Sequence, residues 1–434
     1  MSGGVRAIAR NLSWMLASRG VLAVLSLVYI AIVTRTLGVS NFGRFALIVG
    51  ASQALATLVG FQTWQIIVQY GTAYVHSGDE ARLSKLVRAC GLLDLGSAVA
   101  GTLLAAVIIY NWGEALGVRE VHARATMLFT VAQLLSIRST PLGVLRMRDR
   151  FSLAALADSV TPLVRLVGAA LAVVIKPTVS GFLVAWALAE VLTAAAYWVL
   201  LARTGDLQLL KRGGSLKGVI REHPGIVRFA LSTNANSTLG LSSKQVPLLL
   251  VGGIAGTASA GAFRLALQLA QALTKFSQLL ARAAFPEIVR AVGTGGMHRV
   301  GGLIGRSFLM TSIIAAVVFV IIVVAGKPVL TLMGGSAFAR GYPILIWLAA
   351  AGCIDLMIVG FEPLLLAANR SGLTFVVRLI AAAVLFAVAF LLDDRYGVIG
   401  VAIAVVANSL VIALLLGIAT MRLLRVQTHK RQRP

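Results

Sequence analysis

Long apolar runs, each near the length of a bilayer crossing, follow one another along almost the whole chain. A hydrocarbon core is crossed by about 20 apolar residues in helical form. On that scale the pattern predicts twelve helices, over 12–36, 43–66, 89–112, 125–146, 151–175, 178–202, 226–253, 257–287, 303–325, 341–367, 373–392 and 397–421. The connections between them are too short for a soluble domain. The largest, 203–225, contains Lys211-Arg212-Gly213-Gly214, a linker composition, and falls at the middle of the chain. The expected fold is therefore an all-α polytopic membrane protein. Its expected parts are an N-terminal six-helix lobe (1–202), a linker (203–225), a C-terminal six-helix lobe (226–421) and a basic tail (422–434).

Composition narrows the class. The 434 residues are 59% hydrophobic and 12% charged, with a mean hydropathy of +0.91. Soluble chains carry about 25% charged residues. A soluble enzyme, a disordered chain and a disulfide-stapled secreted scaffold are all poor fits. Cys90 and Cys353 sit in separate apolar stretches and read as buried reduced thiols.

The net charge of +24 does not point to nucleic acid. With the N-terminus in the cytoplasm, 24 of the 39 Lys and Arg fall in cytoplasmic segments and 8 on the opposite side. That bias is the positive-inside rule and predicts both termini in the cytoplasm. The tail sequence HKRQR (429–433) reads as part of the same orientation signal. Arg19 interrupts the first apolar run, which is expected to remain as a helix rather than be cleaved as a signal peptide.

The halves echo each other. Gly38-Val39-Ser40-Asn41-Phe42-Gly43-Arg44-Phe45 and Gly256-Thr257-Ala258-Ser259-Ala260-Gly261-Ala262-Phe263 share the pattern G-x4-G-x-F at an offset of 218 residues. The same offset carries Arg10 onto Arg228. Both glycine pairs are expected in tight turns, where Gly permits positive φ and close backbone approach. Two related lobes in one orientation follow from this pattern.

An ionisable group inside a bilayer costs about 2.5–3.5 kcal/mol on insertion scales, so each one asks for a reason. On the eighth helix Arg264, Gln268, Gln271, Lys275, Gln278 and Arg282 are spaced 4, 3, 4, 3 and 4. At about 100° per residue they form one narrow stripe. It runs roughly 27 Å at about 1.5 Å per residue. Such a face cannot look at lipid. It faces either a wet cavity, or neighbouring helices through glutamine hydrogen bonds and buried carboxylates. Seven intrahelical cations against five acids (Asp94, Asp158, Glu190, Asp355, Glu362) leave an excess that pairing cannot neutralise, which favours the cavity.

Other candidates are weaker. Asn234, Ser237 and Lys244 share a face of the seventh helix, with Pro247 as an expected kink. Asp158, Thr161 and Arg165 share a face of the fifth, where an interhelical salt bridge competes with ligand contact. Arg19 either lines the cavity or snorkels to the interface. Arg138 lies off the polar stripe of its own helix. Asp355 and Glu362, seven apart, either bind a coupling cation or proton or serve as counter-charges to the stripe. Arg and Lys favour phosphate or carboxylate oxygens, and amides suit sugar hydroxyls. An anionic, sugar-bearing cargo with a lipid tail fits this lining.

Arg35-Thr36-Leu37-Gly38-Val39-Ser40-Asn41-Phe42-Gly43-Arg44-Phe45-Ala46 resembles the R-x-L-G-x-x-x-[YF]-G-x-[YF]-A start of Wzx-type polysaccharide flippases. Gly256 to Ala266 is similar to the family's G-x-x-x-x-G-x-[YF]-x-x-A signature, and Ala284-Phe285-Pro286 to its [LF]-x-P ending. The superfamily also holds lipid II flippases and multidrug extruders, and twelve helices suit Wzx rather than the fourteen of lipid II flippases. The resemblance implies two six-helix lobes around a central cavity that opens alternately to either side, in the bacterial cytoplasmic membrane. It also implies an undecaprenyl-diphosphate-linked oligosaccharide as cargo for lipopolysaccharide or exopolysaccharide synthesis, with polymerase and glycosyltransferases as pathway partners. Receipt of the diphosphate by Arg264, Lys275, Arg282, Arg19 and Lys244 is an expectation from position and charge.

Two rivals remain. A multidrug extruder usually takes cationic drugs, for which the lining has the wrong sign. A glycan polymerase or ligase needs a large external catalytic loop, and the outer connections here are short. No H-E-x-x-H, G-x-S-x-G or G-x-x-x-x-G-K-[ST] occurs, so no catalytic, metal or cofactor site is expected.

Overall fold

In the computed structural model the backbone is described for 2–112, 120–211, 216–241, 243–292, 298–367 and 371–430. Side chains are described for 24–111, 123–211, 216–241, 243–272, 274, 305–362, 364–365 and 372–423. Among these residues the structure is helical apart from turns, and ten helices are long and apolar enough to cross a membrane. Two of the ten are double. Val24–Ser77 is divided at Gly38 (φ 69°, ψ 175°), and the helix Val246–Val292 at Gly256 (φ 77°, ψ −177°). Backbone in that region is open essentially to glycine alone. Twelve spans result among the described residues, as the apolar runs predict.

Several spans outrun their apolar cores. The second continues to Ser77, the third begins at Glu80 and the ninth covers His298–Gly334. Their polar ends extend past the hydrocarbon, where backbone hydrogen bonding inside a helix still costs nothing. Large apolar side chains face outward along the spans, among them Leu103 (63% exposed), Leu128 (71%), Val174 (83%) and Leu391 (77%). In water such a surface would aggregate; in lipid it is the expected exterior.

Among the described residues four spans are broken, the second at 60–62, the fourth at 136–138, the seventh at 240–241 and 243–245, and the tenth at 358–360. Pro141, Pro247 and Pro363 each lie in the first turn after a break. Proline tolerates that position because it has no N–H to lose there, and it cannot sit one turn further in without breaking a bond. Pro247 thus acts where the sequence places a kink. Pro162 and Pro328 stay inside unbroken helices.

The chain gathers into two compact units, 1–43 with 242–434, and 44–241. In the first unit, the two repeated turns meet. A Cβ built on Gly43 would lie 1.7 Å from the Thr257 carbonyl oxygen, and one on Gly261 would lie 2.1 Å from that of Val39. Positions 39 and 257, and 43 and 261, are equivalent under the offset of 218. Each turn therefore rests its glycine on the other's carbonyl, with a Ser40–Thr257 hydroxyl contact of 3.0 Å beside them. Thr34 Oγ1 donates to the Met333 carbonyl at 2.8 Å, and Arg35 donates to that of Leu332 at 2.6 and 3.0 Å, closing the end of the ninth span.

In the second unit the 148–150 turn between the fourth and fifth spans contains Asp149 at φ 57°. Arg148 and Arg150 on either side pair with Asp206 at 3.4 and 2.5 Å. Cys90 and Cys353 are both buried free thiols.

Gly43→Ala and Gly261→Ala should each cost about 1–3 kcal/mol by overpacking, read as a lower melting temperature in detergent. Gly253→Ala, with nothing within 4 Å of its Cβ, should melt like the parent. Equal melting of all three would remove the reciprocal contact.

Candidate functional site

The eighth span carries the described part of the polar stripe. From Gly261 to Gln271 eight positions are buried, and the three that are partly open are Arg264, Gln268 and Gln271. Phe263, Leu265 and Ala266 are fully covered. Over this stretch the polar residues thus form the accessible edge of the helix, and Ala272 just beyond it is partly open too. Gln268 Oε1 lies on its shielded side with no hydrogen-bond partner among the described residues. The side chains of Lys275, Gln278 and Arg282, and of Arg19 on the first span, lie outside the described residues.

The intramembrane acids bond to partners other than the described stripe. Glu190, 3% exposed, takes Arg165 at 2.5 Å and Arg138 at 3.2 Å. The Arg165 guanidinium also lies 3.5 Å over the Trp186 ring. Below this cluster Thr161 meets Thr193 at 2.7 Å, and Asp158 accepts from the Tyr197 hydroxyl at 2.7 Å. The fifth and sixth spans are therefore zipped by three polar rungs one turn apart. The face Asp158, Thr161, Arg165 is real and lies against the sixth span.

In the other unit, Glu362 accepts from Arg378 at 2.8 and 3.0 Å. Arg378, one of the cytoplasmic cations on the sequence reading, sits inside the helix Ser371–Tyr396. Asp355 accepts from the Ser409 hydroxyl. The tenth span breaks between Asp355 and Glu362, so their spacing of seven does not align them on one helical face. Asn408, beside Ser409 and 1% exposed, has no partner for either amide atom.

Asn234 and Lys244 are parted by the break in the seventh span. Lys244 is exposed in the 243–245 turn. The Asn234 amide donates to the carbonyls of Gly60 (2.8 Å) and Leu58 (3.4 Å), capping the interrupted second span. Asp94, counted from sequence only as an acid, does the matching work for the restarted helices. Its carboxylate accepts from the Thr140 N–H (3.0 Å), the Thr140 hydroxyl (2.7 Å) and the Thr63 hydroxyl (2.8 Å). Trp198 Nε1 donates to the Ile137 carbonyl at 2.8 Å. The signal in the sequence was Ser139-Thr140-Pro141, a capping pattern inside an apolar run.

The model of a family described as polysaccharide biosynthesis protein matches residues 8–292, well over half of the chain. The chain belongs to that family. Among curated proteins, the inner membrane protein YghQ of Escherichia coli K12 is 25% identical over 347 residues, covering 79% of this chain and 97% of that one. Among solved structures, an inward-facing multidrug resistance transporter of the MATE family, in the MOP superfamily, superposes with a TM-score of 0.72 at 15% identity. It covers 94% of this chain and 96% of its own. The lipid II flippase MurJ, in an inward closed conformation, gives 0.70 at 13% identity over 93% and 86%. At such identities the likeness establishes the fold. The polysaccharide biosynthesis family member thus shares the fold of these two solved structures.

Glu190 tests the ion-pair geometry. Glu190→Gln leaves Arg138 and Arg165 without their counter-charge and should destabilise by about 3–5 kcal/mol, read in denaturant titration of detergent-solubilised protein. Replacing Arg165 by Gln as well should recover part of that loss. A single variant as stable as the parent would contradict the pairing.

Proposed function

We propose that this protein is a flippase. It carries a polyprenyl-diphosphate-linked oligosaccharide across the bacterial cytoplasmic membrane by alternating access of the 1–202 and 226–421 lobes, with both termini in the cytoplasm. Family membership supports a role in polysaccharide synthesis, and the fold supports transport. The observation that carries the cargo chemistry is the accessible edge Arg264, Gln268, Gln271 on a buried helix. A cation and two amides kept at the open edge of a span would be a cost of several kcal/mol in lipid. An anion admitted to that edge would meet a cation and two amides, groups that suit phosphate oxygens and sugar hydroxyls.

On this reading Lys275, Gln278 and Arg282 continue the edge, and Arg19 and Lys244 add charge for the diphosphate. Arg165 is committed to Glu190 and Asn234 to the broken second span, so neither is assigned to the cargo. Asp355 and Asp158 each accept from one hydroxyl, and coupling to a proton or cation is assigned to these acids. Glu362 is the counter-charge of Arg378. Glycosyltransferases would supply the cargo and a polymerase would consume it. A multidrug extruder shares the fold, but a cationic lining opposes cationic drugs.

Arg264, Lys275 and Arg282 replaced together by Gln should abolish polymer export in cells while membrane insertion persists. Normal export by the well-expressed triple variant would refute the cation ladder. In reconstituted vesicles the parent should move lipid-linked oligosaccharide across the bilayer without forming glycosidic bonds; new bonds would mark a polymerase or ligase.

A further inference from the structure

The unit 44–241 contains a groove of about 870 Å³ that the flippase reading does not use. Its walls come from the second, third and seventh spans, among them Phe61, Leu86, Leu93 and Leu231. Its mouth is the connection before the seventh span, with Lys217 and Arg221 at the rim. From Leu86 to Leu93 the groove reaches roughly 10 Å along the third span. It ends at Phe61, level with the break in the second span.

The mouth is built. Gly218 (φ 87°) and Gly225 (φ 84°) turn the chain on either side of the short helix Val219–Glu222. Lys85 pairs with Glu222 at 2.6 Å and holds that carboxyl below its ordinary range. His223, 2% exposed, bonds the Tyr74 hydroxyl through Nε2 at 3.0 Å and the Val219 carbonyl through Nδ1 at 2.8 Å. Among the residues that line the groove, the charged ones are Lys217 and Arg221, both positive and both exposed. Ile220 (65% exposed), Val227 (47%) and Leu231 (56%) present apolar surface around it.

We infer that this groove binds one molecule of anionic glycerophospholipid, with an acyl chain along Phe61, Leu93 and Leu231 and the phosphate on Lys217 and Arg221. An apolar slot opening at the end of a membrane span is filled by a chain, since water finds no partners there. Paired cations at its mouth select a chain that carries a negative headgroup. The site is separate from the stripe on the eighth span and stands whatever the cargo is.

Native mass spectrometry of the full-length protein in detergent tests this, with phosphatidylglycerol and phosphatidylethanolamine of identical acyl chains as probes. The parent should retain phosphatidylglycerol preferentially. Lys217→Gln with Arg221→Gln should weaken that retention about thirtyfold, near fivefold per cation, with phosphatidylethanolamine unchanged. Ala230→Phe, which fills the groove, should lower retention of both; its melting temperature reports folding, and Ile220→Gln at the exposed rim is the second variant should it fail. Equal retention of the two lipids by the parent, or full retention by the double variant, would overturn the assignment. So would displacement of phosphatidylglycerol by inorganic phosphate alone, which would mark a free-anion site, or by polyprenyl phosphate at equal concentration, which would give the groove to the cargo.

Discussion

Hydrocarbon offers no hydrogen bonds, so every polar group held at bilayer depth must find its partner in protein or in water that protein admits. Most of the internal chemistry of this chain follows from that constraint. Where the second and fourth spans break, the freed backbone groups are met by Asp94, Asn234 and Trp198. Where a charge is needed inside, it is matched, as Glu190 is by two arginines and Glu362 by one. The breaks and the charges are therefore one design problem. A helix can be interrupted in lipid only if a neighbouring span carries the cap.

The glycine turns obey the same rule through geometry. Gly38 and Gly256 take a backbone conformation that a side chain would oppose, and Gly43 and Gly261 let two carbonyls approach where a methyl would collide. The two turns lean on each other in a reciprocal way, which is how a duplicated sequence element becomes a packed contact rather than two separate bends. Their shared pattern in the sequence thus has a physical reason at each of four positions.

Twelve apolar runs, the repeated turn and the kink at Pro247 were all legible in the sequence because each depends on local chemistry: length against bilayer thickness, positive φ, a missing N–H. The partners of buried charges were not. Nothing in the spacing of Arg165 on the fifth span points to Glu190 on the sixth, and Arg378, counted with the cytoplasmic cations, gives no hint that it pairs with Glu362. Asp94 gave no sign of its capping role, since its donors Thr63 and Thr140 come from two other spans. Likewise Asp355 and Glu362 share a face only if the tenth helix is continuous, and Pro363 ends that assumption. Along one helix, periodicity is a reliable guide; across helices it is silent.

On the eighth span Arg264, Gln268 and Gln271 are partly open, and the cargo assignment depends on that edge being wet. Single cysteines at Gln268, Gln271, Leu265 and Leu269, in a protein lacking Cys90 and Cys353, test it directly with a membrane-impermeant thiol reagent. Labelling should occur at 268 and 271, fall when lipid-linked oligosaccharide is added, and be absent at 265 and 269. Uniform labelling of the four positions, or none at 268 and 271 in a folded protein, would contradict the account.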